Sequence, residues 1–310
     1  MTSTRSFSQI RHHTDFLRQS VADFDAEISV HPPDESTKDF LVIIKSFMIA
    51  VNGEFSQHHD PIAFIEADLH HIWYMVIEVA KITQPEDTTH DGLVLLLLYF
   101  MNLGTLTRMI EDIEEKAVIG DGRRLWTDLP LFGADLLAGW RGSGSIPIKQ
   151  RVNLAVFTGK CVAHGVGGDD IVLSALWLLK EALEGDGEHS VPIAKMLPAC
   201  TALLQNCCHK LLILCIGKDQ RPASELSMER WLSWRKRFQE LSQSQDEILL
   251  REAKSGFDSM INCGREMGFE IEGEKRYWTK VMGLLEEELI RSGKESIGLE
   301  DIVTDPDWVD

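Results

Sequence analysis

Three polar side chains stand out because each sits beside large aromatic rings: the imidazole of His71, the carboxylate of Asp128 and the guanidinium of Arg235. His71 lies just before Trp73, Asp128 follows Trp126 in Leu125-Trp-Thr-Asp-Leu-Pro-Leu-Phe-Gly133, and Arg235 follows Trp231 and Trp234. A base, an acid and a cation among rings suit proton transfer and charge stabilisation on an apolar molecule from which water is excluded. The expected catalytic groups are therefore His71, Asp128 and Arg235, and the expected ligand contacts are Trp73, Trp126, Phe132, Trp140, Trp231 and Trp234. Core packing is the ordinary use of such aromatics, and a pocket wall is the sharper alternative.

Other chemistries find less support. Cys200, Cys207, Cys208 and Cys215 invite a metal, but residues seven apart on a helix are separated by roughly 10 Å of rise, whereas ligands of one zinc lie within about 4 Å of each other. With Leu204, Leu211 and Leu212 they read as a stripe of small buried thiols. Glu66 with His70, and Asp68 with His71, share a helix face, yet a di-iron bundle needs two such motifs and further inward carboxylates. Asp87 to His90 has the spacing but follows Pro85 in an expected loop, so no metal and no cofactor are expected. There is no Gly-x-Ser-x-Gly elbow, Walker loop or His-Glu-x-x-His pair. Asp128 and Asp135 flank Pro130 and read either as an acid pair or, for Asp128, as a helix N-cap.

The balance of charge narrows the partners. With 49 acidic against 31 basic side chains the net charge is −18, a field that repels polyanions and anionic membranes. The stretch Ser227-Met-Glu-Arg-Trp-Leu-Ser-Trp-Arg-Lys-Arg-Phe238 mixes aromatics and cations as a nucleic-acid reader would. Its aromatics nevertheless fall at steps of three and four on one helical stripe, which faces a core or pocket rather than phosphates. No nucleic-acid partner is expected. The N-terminus lacks the apolar centre of a signal peptide, and the longest apolar run, Leu93 to Met101, is about half of the roughly 20 residues that cross a bilayer. A cytosolic chain without membrane insertion is expected, with reduced cysteines and no oligomeric state specified.

The elements that must hold these groups are helical. Apolar residues recur at helical period from Phe7 to Ile28, from Phe40 to Val51 with a stop at Asn52-Gly53, and from the Asp60-Pro61 cap to about Lys81. A fourth helix is expected from Asp91 to about Ala117. A short helix follows between the Leu125 to Gly133 loop and Gly142 to Pro147. The pattern then predicts helices over Ile148 to Val166, Asp170 to Leu183, Ala199 to Ile216, Ser227 to Phe238, Asp246 to Met267 and Lys275 to Arg291. Polar connectors occupy Gly185 to Ser190 and Gly217 to Pro222. No run alternates long enough to be a convincing strand. The fold class is all-α, a bundle of about ten helices over residues 1–298 as a single domain, with an acidic tail at 299–310.

Taken together, Leu125 to Gly133, Ser174-Ala-Leu-Trp-Leu-Leu-Lys-Glu-Ala-Leu-Glu184, the Ser227 to Phe238 helix and the Ala253 to Met260 segment resemble a family of all-helical filamentous-fungal proteins of unknown function. The resemblance implies a cytosolic all-α fold, a fungal source and a setting among genes for fungal small-molecule pathways. It carries no catalytic residue. The Ala199 to Ile216 helix departs from the family's habit in its cysteines.

Two functions fit these residues. One is a cofactor-independent cyclase or isomerase that shapes an apolar small molecule in an aromatic-lined helical pocket, where holding reacting atoms together lowers a barrier by up to roughly 7 to 11 kcal/mol. The other is a non-enzymatic protein-protein interaction module presenting a helical surface.

Overall fold

The computed structural model describes residues 7–32, 35–58, 62–120, 122–184, 191–217, 225–294 and 296–309. The Asp60-Pro61 cap and most of the two polar connectors lie outside these residues. Among the described residues the chain is all-α, with eleven α-helices and one small two-stranded sheet. It divides into two compact units, residues 1–180 and 181–310.

The first unit contains α1 (Phe7–Val30), α2 (Lys38–His58), α3 (Ile62–Ile82), α4 (Thr89–Asn102), β1 (Thr107–Ile110), β2 (Ile113–Lys116), α5 (Phe132–Arg141), α6 (Ile148–His164) and most of α7 (Gly168–Leu183). Ile65, Leu69, Ile72, Trp73, Met75, Val76, Val79 and Ala80 of α3 are all buried. A helix apolar on so much of its circumference must sit at the centre, and α3 packs against α1, α2, α4, α5 and α6.

Two expected helix ends move in the first unit. Helix α2 runs through Asn52-Gly53 to His58, because Val51 and Phe55 are both buried and the next turn gains more from packing than the glycine loses. Helix α4 stops at Asn102 instead of reaching Ala117. Gly104 takes a positive φ of 83°, and residues 107–116 form an antiparallel hairpin that pairs Thr107 with Lys116 and Arg108 with Glu115. Its two turn residues, Glu111 and Asp112, both have positive φ, as a two-residue hairpin turn that matches strand twist requires. Arg108 anchors the hairpin: its guanidinium donates to the Phe55 carbonyl at 3.0 Å and to Glu115, and lies 4.3 Å from the Phe55 ring centre.

The second unit contains α8 (Ile193–Ile216), α9 (Met228–Leu241), α10 (Glu247–Glu266) and α11 (Glu274–Ser292). Helix α8 begins six residues earlier than its pattern suggested, with Pro198 inside its first turns. It is long and apolar enough to cross a membrane, but 61% of its most apolar window is buried against protein, chiefly α10 and α9. Ser227 caps α9 by accepting from the Arg230 amide, and Asp246 caps α10 by accepting from Ile248 and Leu249. Gly256 lets α9 and α10 close up: a Cβ there would stand 2.3 Å from the Phe238 ring. The acidic C-terminal segment is docked. It forms two short 3-10 turns, Leu299–Asp301 and Pro306–Val309, buries Val309, and places the Asp307 carboxylate where Gln239 and Gln243 donate to it.

Candidate functional site

The Leu125 to Gly133 loop holds three of the five side-chain-bearing residues with positive φ among the described residues. Trp126, Leu129 and Leu131 have φ of 45°, 41° and 68°, a left-handed region that costs side-chain-bearing residues of order 1 to 3 kcal/mol each. Surrounding packing supplies that energy. The Trp126 indole donates to Asn52 Oδ1 at 2.6 Å, and the Trp73 indole donates to the Pro130 carbonyl at 2.8 Å. Trp73 packs against Phe132 at 5.0 Å between ring centres, Phe100 against Trp126 at 4.9 Å, and Phe132 against Phe157 at 6.3 Å. The Trp140 indole donates to Thr158 Oγ1 at 3.3 Å.

Trp73, Trp126, Phe132 and Trp140 therefore fill the core of the first unit, none more than 1% exposed. Trp231 and Trp234 fill that of the second, both 0% exposed. Trp234 donates to Glu184 at 2.8 Å, while the Trp231 indole nitrogen has no hydrogen-bond partner among the described residues. None of the six lines the α3–α5 cleft or the groove along α11.

The three expected catalytic groups each have local partners. His71 faces α1 and α2, with Nε2 3.0 Å from Ser20 Oγ and its ring edge-on to Phe47, and burial pushes its pKa down. Asp128 does not cap α5, whose N-cap is Leu131. It accepts instead from the Arg124 amide at 2.7 Å and from the Arg124 guanidinium at 2.8 and 3.0 Å, which holds its carboxyl below the usual range. Arg235 belongs to the second unit, where it is buried against Glu274 at 3.2 Å and donates to the Glu272 carbonyl at 2.8 Å. Glu66 accepts from the Gly120 amide, and Asp68 lies 2.9 Å from His13.

The cysteines are six buried free thiols. Burial pushes Cys161, Cys200 and Cys207 well up and Cys215 up to about 12, which makes them poor nucleophiles. Among the described residues no three His, Cys, Asp or Glu side chains converge as metal ligands would.

A different constellation does open to solvent. His70, Tyr74, Ile77, Glu78 and Lys81 fall along one stripe of α3, and Asp135, Ala138 and Gly139 along one of α5. Between them lies a cleft of about 340 Å3, within the range of small-molecule sites. Gly139 of α5 lies over Ile77, and a Cβ there would meet the Ile77 side chain at 3.5 Å, an ordinary van der Waals contact. His70 Nδ1 donates to Asp135 Oδ2 at 2.7 Å. Asp135 is pushed above the usual carboxylate range by burial, partly offset by His70. Tyr74 donates to Asp25 at 2.6 Å and Lys81 to Glu78 at 2.6 Å, giving the rim hydroxyl, ammonium and carboxylate groups. An imidazole held by a carboxylate through Nδ1 keeps a fixed tautomer, with Nε2 free to take a proton. Nε2 of His70 has no partner among the described residues.

The strained loop fixes this cleft, because Trp73 and Phe132 lock α3 to the start of α5. Residues 73–238, more than half of the chain and including that loop, match the profile of a family described as a protein of unknown function, DUF3632. The chain belongs to that family. It is similar to the oxopyrrolidines biosynthesis cluster protein G of Penicillium oxalicum, with 26% identity over 250 residues that cover 67% of this chain and 69% of the relative. No solved structure matches the chain.

Proposed function

We propose that this protein is a cytosolic, cofactor-independent isomerase or cyclase of fungal small-molecule biosynthesis that works in the α3–α5 cleft. His70, oriented by Asp135, moves a proton on an apolar substrate lying against Ile77, Ala138 and Gly139. The His70–Asp135 bond at the mouth of an apolar-walled cleft carries this reading. A positioned general base of this kind contributes typically 10²- to 10⁴-fold. The aromatic residues act one step removed, by fixing the two helices that present the pair. The similarity to a protein named for an oxopyrrolidine biosynthesis cluster supports the metabolic setting.

Deleting the gene and profiling metabolites tests this reading. The expected result is loss of one late product with accumulation of an isomer of equal mass; an unchanged profile while the neighbouring genes are expressed would overturn it. The second reading, an interaction module, draws on the exposed apolar face of α11.

A further inference from the structure

On its α3 side the cleft presents mostly hydrogen-bond acceptors. Tyr74 and Glu78 follow His70 at steps of four, so the three side chains stack on one face of the helix. The Tyr74 hydroxyl gives its proton to Asp25 Oδ1 at 2.6 Å, which leaves the phenol oxygen as an acceptor. Burial, the Asp25 bond and the nearby Glu78 charge all raise the Tyr74 pKa, so that proton stays in place. Lys81 donates to Glu78 Oε1 at 2.6 Å, and Oε2 of Glu78 takes no donor among the described residues. His70 Nε2 is an acceptor as well, because Nδ1–H is committed to Asp135.

The charges favour the same kind of ligand. Glu78 and Asp135 line the cleft and Asp25 adjoins it through Tyr74, whereas Lys81 is the one lysine or arginine among the lining residues. A carboxylate or phosphate entering here would meet two carboxylates and a cation already engaged by Glu78. A protonated amine meets the reverse: oxygen acceptors for its N–H groups, carboxylate charge, and the Tyr74 ring, whose face attracts cations. The net charge of −18 draws such a molecule toward the protein at long range.

We propose that the cleft takes an apolar molecule carrying one protonated amine, with the ammonium held between the Tyr74 oxygen and Glu78 and the hydrocarbon part against Ile77, Ala138 and Gly139. This rests on the reading of the cleft as the working site and names the class of substrate that enters it. Tyr74 and Glu78 stand about one and two turns beyond His70, roughly 6 and 12 Å along the axis. The amine end is thereby kept apart from the imidazole, and the carbon from which His70 takes a proton lies several bonds from the nitrogen. Glu78 and Tyr74 select and place the molecule, while His70 and Asp135 act on it.

Isothermal titration calorimetry of the full chain with hexylamine, hexan-1-ol and hexanoate, near neutral pH and at low salt, tests the proposal without any turnover. Hexylamine is expected to bind about tenfold or more tighter than either of the other two. Glu78→Gln should bring hexylamine to within about threefold of hexan-1-ol, and Tyr74→Phe should weaken it several-fold, each with an unchanged circular dichroism spectrum. Asp112→Asn, which removes one carboxylate at the exposed hairpin turn, should leave hexylamine binding as it is. No hexylamine binding up to about 10 mM, equal binding of hexylamine and hexan-1-ol, or a preference for hexanoate would overturn the proposal. So would an amine preference that survives Glu78→Gln. Because binding alone is read, the amine class can fail while the metabolite profile still supports proton transfer at His70, and the reverse.

Discussion

His70 and Asp135 meet at 2.7 Å across the α3–α5 cleft, although 65 positions separate them in sequence. The imidazole is about half exposed, so removing it empties no core. His70→Ala and Asp135→Asn are therefore expected to leave the unfolding free energy within about 0.5 to 1 kcal/mol of wild type. Turnover should fall by about 10²-fold or more for His70→Ala, and by less for Asp135→Asn, which keeps a hydrogen-bonding group at the same position. Urea titration beside an activity measurement separates the two effects, and equal loss of stability and activity would assign the pair a structural role.

Trp126 behaves in the opposite way. It is 1% exposed, packs on Phe100 and Trp73, and donates to Asn52, so Trp126→Ala is expected to cost about 3 to 5 kcal/mol and to leave the Asn52 amide oxygen without its indole partner. A fall in activity in that variant would report unfolding, not a lost ligand contact. Trp126→Phe, which keeps most of the volume and loses the donor, should cost less. Thermal melts of the two variants check the order.

Acid and base act oppositely on the two units. Burial lowers His90 from 6.5 to about 4, partly offset by its bond to the Thr83 carbonyl. The unfolded chain then takes up a proton that the folded one refuses, and the first unit loses on the order of 3 kcal/mol as pH falls from about 6.5 to about 4. Glu274 is raised from 4.5 to about 7, chiefly by burial and against the pull of Arg235. Its contribution is fully present below 4.5 and is lost as pH rises through about 7. Asp258, raised to about 6 by burial, adds in the same direction. Urea midpoints between about pH 4 and pH 8 should show His90→Gln flattening the acid side and Glu274→Gln flattening the fall toward neutral pH.

Helical period placed most of the elements, because apolar residues recur every three or four positions along Phe7–Val30, Ile62–Ile82 and Glu247–Glu266. The hairpin was illegible for a physical reason. Met109 and Ile113 are exposed, and the turn takes left-handed backbone at Glu111 and Asp112 without the glycine or asparagine that usually announces it. The aromatic loop was visible as an irregular segment, but whether its rings fill a core or wall a hole depends on how α3, α5 and α6 converge. His71 drew attention beside Trp73, yet about 100° of helical rotation turns it toward α1 and α2 and leaves its neighbour His70 facing the cleft. The carboxylate that completes the pair is on another helix, and no local spacing joins them.

The most direct test of the central claim is the metabolite profile of a deletion strain complemented with the His70→Ala gene, compared with one complemented by wild type. The account predicts that wild type restores the late product, while His70→Ala expresses at the same level and leaves its uncyclised or unrearranged isomer of equal mass. Full restoration of the product by His70→Ala would contradict it.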